Sequence, residues 1–389
     1  MSKYDVKKVL GQGAYGVVHL ARRKRQASSS SSSSSSSTPP NKDKDSGELV
    51  AIKTIGPLTV PAGSSSASSG VNFTAIREIK LLRELHHDNI CNLLDVFHSP
   101  GDEGVCLVYE FCGGGDVDKF VKEKFPVGQN NSSSEDYFTR GKYIVKTLLE
   151  VMNYLHENGV LHRDLKPENL LFNDKGDLKL CDFGLSRTHA VGQRLSPEAV
   201  TLWYKPPEML LGSFEYGSSA DMWSVGCIVA EIWLGRVFLK SRTILGQPPP
   251  QTDLEQLSAI FKVFGTPTPG TWGGVESLPN VVRGVEWNAI PGMWETNLNA
   301  DEGEKPITET EWWERLFDRV IKAGEEDGGG RGAVAIVRGL CRLDPAKRLS
   351  AHSALEHSYF TGKEEEDGDG ADETGVAKPK VKEEASGLT

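Results

Sequence analysis

Residues 162–169 read His-Arg-Asp-Leu-Lys-Pro-Glu-Asn, and residues 181–184 read Cys-Asp-Phe-Gly. No other feature constrains the fold as tightly, because the side chains of the two segments make chemical sense only face to face. The first puts an acid (Asp164), a lysine (Lys166) and an amide (Asn169) on one short loop. The second supplies another acid, Asp182, on the next turn. A polar turn between strands would explain either composition, but not their order and spacing. The set suits phosphoryl transfer from a metal–nucleotide. It offers a base near the attacking hydroxyl, a cation near the transferred phosphate, and two oxygen ligands for Mg²⁺.

A chain of 389 residues can bury one large core or two smaller ones, so a bilobal protein is the natural expectation. The net charge of −10 argues against broad nucleic-acid binding. Nine acids against four lysines after Thr361 account for half of it, so the body is nearer neutral. The six cysteines (Cys91, Cys106, Cys112, Cys181, Cys227, Cys341) form no CxxC pair, which suggests reduced thiols inside a cell. No apolar run reaches membrane-spanning length, and the best candidate, Met222–Leu234, is interrupted by Glu231. No secretory h-region opens the chain.

Tyr4–Ala21 reads as two strands around a glycine turn, and Leu49–Ile55 as the next strand. Between them lies the run Ser28–Ser37, followed by Thr38-Pro39-Pro40 and charges. This insert, residues 27–47, is expected to be disordered. Gly63–Gly70 is a second small-residue linker. A helix over Thr74–Leu85 follows, with Ile76, Ile79, Leu82 and Leu85 at helical spacing. Asn89–His98 and Gly104–Phe111 read as strands. Helical patterns then dominate, notably Gly141–Asn158 and Asp221–Leu234. The expected fold is α+β: a small antiparallel-sheet lobe to about residue 112, with one key helix, and a larger, mainly helical lobe over 113–361. Asn288–Lys305 and Gly324–Gly332 read as surface insertions, and residues 362–389 as an acidic, disordered tail.

Gly11-Gln12-Gly13-Ala14-Tyr15-Gly16-Val17-Val18 is a GxGxxGxV loop, whose glycines let backbone approach phosphates. Alone it is a weak signal. A dinucleotide fingerprint would enter a helix next, whereas here valines continue a strand. Val50-Ala51-Ile52-Lys53 follows. A lysine in an apolar strand needs a paired charge, and Glu78 on the predicted helix is the expected partner. An edge-strand lysine and a solvated glutamate are the alternative.

With these motifs in this order, residues from about Tyr4 to Phe360 resemble a eukaryotic protein kinase. The resemblance implies ATP and Mg²⁺ as cofactors. By it, Lys53 orients the α- and β-phosphates and Glu78 holds Lys53. Gly11, Gly13 and Gly16 cover the phosphates, and Leu10, Val18, Ala51 and Leu171 sandwich the adenine. Tyr109 takes the gatekeeper position, Glu110 and Cys112 bond the adenine through their backbones, and Asp116 meets the ribose. Asp164 is the base and orienter for the substrate hydroxyl, Lys166 stabilises γ-phosphate charge, and Thr201 bridges the two. Asn169 and Asp182 hold Mg²⁺. The lysine after HRD-L is typical of serine/threonine kinases. Glu208 is expected to pair with Arg348, and Asp221 to hold the catalytic-loop backbone.

Three segments narrow the resemblance to the cyclin-dependent kinases. Phe73-Thr74-Ala75-Ile76-Arg77-Glu78 resembles their PSTAIRE helix, which a cyclin pushes inward to complete the lysine–glutamate pair. Val200-Thr201-Leu202-Trp203-Tyr204 matches their VTLWY, with Val200 shaping a pocket for proline after the phosphorylated residue. Thr252–Pro267 is similar to their DQL…IF…GTP region. The helix over Thr74–Leu85 and the Gln256–Pro279 region look most like the cyclin-activating and transcriptional branches. Ser196 stands five residues before Thr201, where the family carries an activating phosphothreonine, with Arg77, Arg163 and Arg187 as phosphate partners and an upstream kinase as donor. Tyr15 fits an inhibitory site, but its usual threonine neighbour is Ala14. Lys205 replaces an arginine that supports the backbone near Val200, and lacks its planar fork.

The leading expectation is a cyclin-dependent, proline-directed serine/threonine kinase of the nucleus and/or cytoplasm. It acts on Ser/Thr-Pro sites and binds neither nucleic acid nor membrane. A cyclin-independent, MAP-kinase-like enzyme is opposed by Leu195-Ser196-Pro197-Glu198, which lacks TxY. A pseudokinase scaffold is opposed by the presence of Lys53, Glu78, Asp164, Asn169 and Asp182.

Overall fold

A computed structural model describes residues 3–13, 16–24, 47–56, 73–98, 104–124, 134–189, 194–196, 200–240, 242–282, 291–293, 308–324 and 329–361. The serine run, the Gly63–Gly70 linker, Tyr15, most of Asn288–Lys305 and the acidic tail lie outside the described residues.

Strands β1 (Tyr4–Gly13), β2 (Gly16–Arg23), β3 (Leu49–Ile55), β4 (Leu93–His98) and β5 (Val105–Glu110) form one sheet in the order β1-β2-β3-β5-β4. Every neighbouring pair is antiparallel. Alternation along β3 and β5 sorts their side chains between two faces. Val50, Ile52, Cys106 and Val108 join Tyr4 and Ala21 in a small outer core. Ile55, Leu107 and Tyr109 face the main core, with Ala51 packed beside them. Lys53 is two residues from Ala51 and from Ile55, so the same alternation turns it inward.

Helix α1 (Phe73–Glu84) packs on the turn Phe183–Leu185. Ile79, Leu82 and Leu85 of its apolar spacing face the main core as predicted, and Ile76 alone departs. Ala75, Glu78, Leu81 and Leu82 point inward, while Ile76 is 47% exposed. A carboxylate thus takes an inner position. The strand expected from Asn89 starts only at Leu93. Ile90 instead bridges Leu180, and the Cys91 amide donates to the Leu180 carbonyl at 2.9 Å. These residues tie the sheet to the helical lobe.

That lobe contains α2 (Val117–Lys124), α3 (Ser134–Glu157), short ladders β6 (Val160–Leu161) with β9 (Arg187–Thr188) and β7 (Leu170–Phe172) with β8 (Leu178–Leu180), then α4 (Pro207–Leu210) and α5 (Ser218–Leu234). It continues with α6 (Arg242–Leu245), α7 (Asp253–Phe264), α8 (Pro279–Val282), α9 (Glu309–Leu316), α10 (Asp318–Ala323), α11 (Gly329–Leu340), α12 (Ala351–Leu355) and α13 (Ser358–Thr361). Every residue of α5 from Ala220 to Leu234 is buried, as a helix apolar on all sides requires. A capping box of Thr252 and Glu255 starts α7. Among the described residues no helix is long and apolar enough to cross a membrane.

One expectation fails here. Gly329–Gly332 is the first turn of α11, not a surface insertion, and Gly329 and Gly330 are buried. A Cβ on Gly330 would stand 2.5 Å from the Ile321 Cα and 2.6 Å from the Val320 carbonyl oxygen. The glycine permits backbone contact between α10 and α11.

The lobe is closed by a buried ion pair. Arg348 donates to both Glu208 oxygens, at 2.8 and 3.0 Å, and to the carbonyls of Arg342, Ser219 and Leu343. With every guanidinium nitrogen satisfied, the pair fixes geometry rather than adding much net stability. Glu208→Ala strands the buried cation and is expected to cost about 3–5 kcal/mol. A denaturant titration should show a lower midpoint, and an unchanged midpoint would remove the pair from the frame.

Glu231, the charge that interrupts the apolar run, is buried in α5 and accepts from the Tyr204 hydroxyl at 2.7 Å. Burial pushes its carboxyl up to about 7 against that hydrogen bond. Between the ordinary glutamate value and about 7 the folded state therefore binds more protons than the unfolded one, and this group's contribution to stability falls as pH rises. A tenfold difference in proton affinity between the folded and unfolded states is worth roughly 1.4 kcal/mol. Thermal unfolding from pH 5 to 7 should lose that component in Glu231→Gln, and parallel pH profiles for the two proteins would refute the assignment.

Candidate active site

Between the sheet and the helical lobe lies a cleft roofed by β1 and β2. Gly16 has φ 139°, and a Cβ there would meet the Thr54 carbonyl oxygen at 1.9 Å, so only glycine lets β2 start this close to β3. Val18 pairs with Lys53 across the strands, and Ala51 with Tyr109. Val18, Ala51 and Leu171 are half-buried, and Leu10 is 41% exposed. Gly11 and Gly13 end β1, while Ala14 and Tyr15 at the tip lie outside the described residues.

Lys53 is the meeting point. Its ammonium lies 3.1 Å from both Glu78 oxygens and 2.7 Å from Asp182 Oδ1. Burial alone would lower its pKa, but the two carboxylates hold it above the ordinary lysine value, so it stays charged. Asp182, which burial would raise, is held below its ordinary value chiefly by Lys53. Glu78, fully buried, also accepts the Tyr109 hydroxyl at 2.5 Å. The lysine–glutamate pair is thus already made, with Tyr109 as a third member.

The catalytic loop is assembled around Asp221. Its two oxygens accept the His162 and Arg163 amides, both at 2.9 Å, and one lies 3.1 Å from His156 Nε2. Burial would raise the Asp221 carboxyl, but His156, His162 and the Arg163 amide hold it low. His162 Nδ1 accepts the Asp164 amide at 3.3 Å, so Nε2 carries the proton and donates to the Cys181 carbonyl at 3.1 Å. One imidazole thereby joins the loop bearing Asp164 to the turn bearing Asp182. Arg163 (φ 69°) and Asp182 (φ 62°) are non-glycine residues in the left-handed region. Such strain persists only where the surroundings over-determine it.

Asp164 accepts the Thr201 hydroxyl at 2.7 Å on Oδ1 and the Lys166 ammonium at 2.9 Å on Oδ2. Lys166 is also 3.5 Å from the Thr201 hydroxyl. Burial lowers the Lys166 pKa, but Asp164 more than offsets this, so Lys166 remains a cation. Asn169 donates its amide to the Asp164 carbonyl at 2.8 Å, which leaves its side-chain oxygen for a cation. Its carbonyl accepts the Cys181 amide at 2.9 Å, bringing Asn169 beside Asp182. An amide and a carboxylate oxygen suit a hard divalent ion.

At the hinge the Glu110 amide is taken by the Asn92 carbonyl, and its carboxylate by Lys179 at 3.1 Å and the Asn92 amide at 2.8 Å. The Glu110 carbonyl is faced by the Cys91 thiol, at 3.8 Å. Cys112 is half-buried. Asp116 caps α2 by accepting the Lys119 amide at 2.7 Å, so one of its oxygens serves the helix rather than a sugar.

The regulatory residues converge only in part. Arg163 and Arg187 share the Leu185 carbonyl, at 3.2 and 3.3 Å, and Arg163 also reaches the Ser196 carbonyl at 2.9 Å. The Tyr216 hydroxyl donates to that same carbonyl at 2.7 Å. Ser196 itself is exposed, and Arg77 lies on the exposed side of α1. Val200 packs partly against Leu161, Leu195 and Met209. Lys205 does not take up the missing arginine's support. It is buried, with its ammonium 2.7 Å from Asp253 at the start of α7.

The family model described as "Protein kinase domain" matches residues 33–360. Cyclin-dependent kinase 7 of Dictyostelium discoideum is 33% identical over 93% of this chain and 80% of its own length. Serine/threonine-protein kinase crk1 of Schizosaccharomyces pombe is 33% identical over 92% and 84%, and cell division control protein 2 homolog 1 of Trypanosoma brucei brucei 34% over 92% and 98%. The chain belongs to the cyclin-dependent kinase family. A chain in the structure of the CAK complex from Chaetomium thermophilum bound to ATP-γ-S aligns with a TM-score of 0.65 at 31% identity, covering 92% of this chain and 91% of that one.

The fold is accordingly the bilobal kinase fold, and the protein is a serine/threonine kinase that uses ATP. Its similarity to cyclin-dependent kinase 7 lies on the branch that Gln256–Pro279 suggested. Sequence reasoning missed three parts of this kinase's site: the Tyr109 bond to Glu78, the His162 bridge, and His156 against Asp221. For Tyr109 a signal existed, since it sits on the inward face of β5 opposite Ala51. The histidine contacts carry no spacing signature.

Thr201 touches both Asp164 and Lys166 without a charge of its own. Thr201→Val is therefore expected to lower kcat by roughly tenfold to a hundredfold, leaving KM for ATP little changed. Steady-state kinetics would check this, and an equal rise in KM with constant kcat would contradict it.

Proposed function

We propose that this kinase binds Mg–ATP in the cleft and transfers the γ-phosphoryl group to serine or threonine hydroxyls that precede proline, with a cyclin docked on α1. The observation that carries this reading is the single connected network from Glu78 on α1, through Lys53 and Asp182, to the loop holding Asp164, Lys166 and Thr201. Lys53 holds the α- and β-phosphates. Asn169 and Asp182 would hold the magnesium ion, which supplies charge neutralisation at the phosphates when bound. Asp164 accepts the substrate hydroxyl hydrogen and aims its oxygen, and Lys166 offsets charge on the transferred phosphoryl group.

A cyclin fits α1 because its outer face keeps Ile76 exposed while its inner face carries Glu78. Holding that helix holds the Lys53 pair. Val200 favours proline after the acceptor. A phosphate on Ser196, from an upstream kinase or a second copy, meets Arg163 and Arg187 in a loop already anchored by its carbonyl.

Phosphate transfer to matched Ser-Pro and Ser-Ala peptides, with and without co-expressed cyclins, tests the reading, with Asp164→Asn as the inactive control. Cyclin-dependent transfer favouring Ser-Pro is expected. Equal transfer without a cyclin would replace it with a cyclin-independent kinase, and ATP binding without any transfer would replace it with a scaffold.

A further inference from the structure

Three cysteines from three distant segments meet behind the adenine side of the cleft. Cys91 lies in the turn between α1 and β4, Cys112 in the hinge after β5, and Cys181 between β8 and Asp182. Their sulfurs all lie within 4.8 Å of one another. The backbone is built to bring them there. The Cys91 amide bonds the Leu180 carbonyl at 2.9 Å, and the Glu110 amide bonds the Asn92 carbonyl at 3.0 Å, so residue 91 is clamped between β8 and the hinge. We propose that Cys91, Cys112 and Cys181 form a site for one thiophilic divalent cation of the Zn²⁺ class, which ties the hinge to the Asp182 turn and opposes nucleotide binding.

The donor chemistry selects the ion. Three thiolates and no carboxylate favour a soft or borderline cation over the hard ion suited to Asn169 and Asp182. With zinc–sulfur bonds of about 2.3 Å, three sulfurs around one ion stand roughly 4 Å apart. The three sulfurs, all within 4.8 Å of one another, are close to that spacing. Cys91 is buried, whereas Cys112 and Cys181 are half-buried, so an ion would enter from the cleft and keep its fourth position open toward it. The Cys91 and Cys181 thiols now face the carbonyls of Glu110 (3.8 Å) and Lys179 (3.6 Å), and binding would release their protons. The Lys179 ammonium is already paired with the Glu110 carboxylate at 3.1 Å, so the charge of the thiolates falls to the bound cation itself.

The opposition to nucleotide rests on the ATP reading of the cleft, whereas the metal site itself does not. The full-length chain, reduced and stripped with chelator, is titrated with Cd²⁺ as probe. Ultraviolet thiolate-to-metal absorption gives stoichiometry and thiolate number, and Zn²⁺ displaces the probe. One equivalent with the intensity of three thiolates is expected. Affinity should fall by at least about tenfold in Cys91→Val/Cys181→Ala and in Cys112→Ser. It should be retained in Cys106→Ala, whose thiol lies in the outer core. If the double variant does not unfold cooperatively, Cys112→Ser decides. Absence of the band, a two-thiolate intensity, or full affinity in a folded variant would overturn the site. Binding of a fluorescent ATP analogue, first measured metal-free to establish nucleotide binding independently, should weaken about tenfold at one equivalent of Zn²⁺. Unchanged nucleotide affinity with metal bound would overturn the clamp.

Discussion

The buried ammonium of Lys53 holds the two lobes and α1 to one arrangement. A lysine on the inner face of a β-strand is costly unless its charge is met. Here it is met twice, by Glu78 from α1 and by Asp182 from the turn after β8. The sheet, the helix and the helical lobe are therefore joined through one nitrogen atom. The same logic explains why α1 buries a carboxylate where its apolar spacing would have buried Ile76. Any force that rotates this helix would withdraw Glu78 and leave Lys53 short of a partner.

A second buried charge supports the chemistry from below. Asp221, in the all-buried α5, grips two successive amides of the catalytic loop and so holds Arg163 in a left-handed conformation. His162 then passes that order to the Cys181 carbonyl, beside the strained Asp182. Asp164, Lys166 and Asn169 are presented as one unit because their loop has little freedom left. This agrees with catalysis by positioning and electrostatics rather than by covalent steps. The Glu208–Arg348 pair does comparable work further away, fastening the segment after Thr201 to the end of the domain.

Much of this was legible in the chain because the relevant signals are local. Strand β3 falls at Leu49–Ile55 as its apolar alternation predicts, and α5 follows the apolar run to Leu234. The motif residues Lys53, Glu78, Asp164, Lys166, Thr201 and Asn169 come together as their order implied. What was misread depended on partners far along the chain. Asn89–Cys91 reads as strand but meets Leu180 of β8, and the Gly329–Gly332 run reads as loop but is a helix turn pressed on α10.

The family, the two-lobe order of strands and helices, and the identities of the reacting groups follow from the order of residues alone. These are written in short motifs and in periodicity, which depend on neighbouring residues only. Tertiary structure alone decided that α1 leaves Ile76 exposed, that Tyr109 joins the Lys53–Glu78 pair, and that one imidazole couples the two catalytic turns. It also decided that three cysteines, 21 and 69 residues apart along the chain, share one pocket. The reason is physical: burial, desolvation and close contact are properties of side chains meeting in space, and no spacing along the chain encodes them.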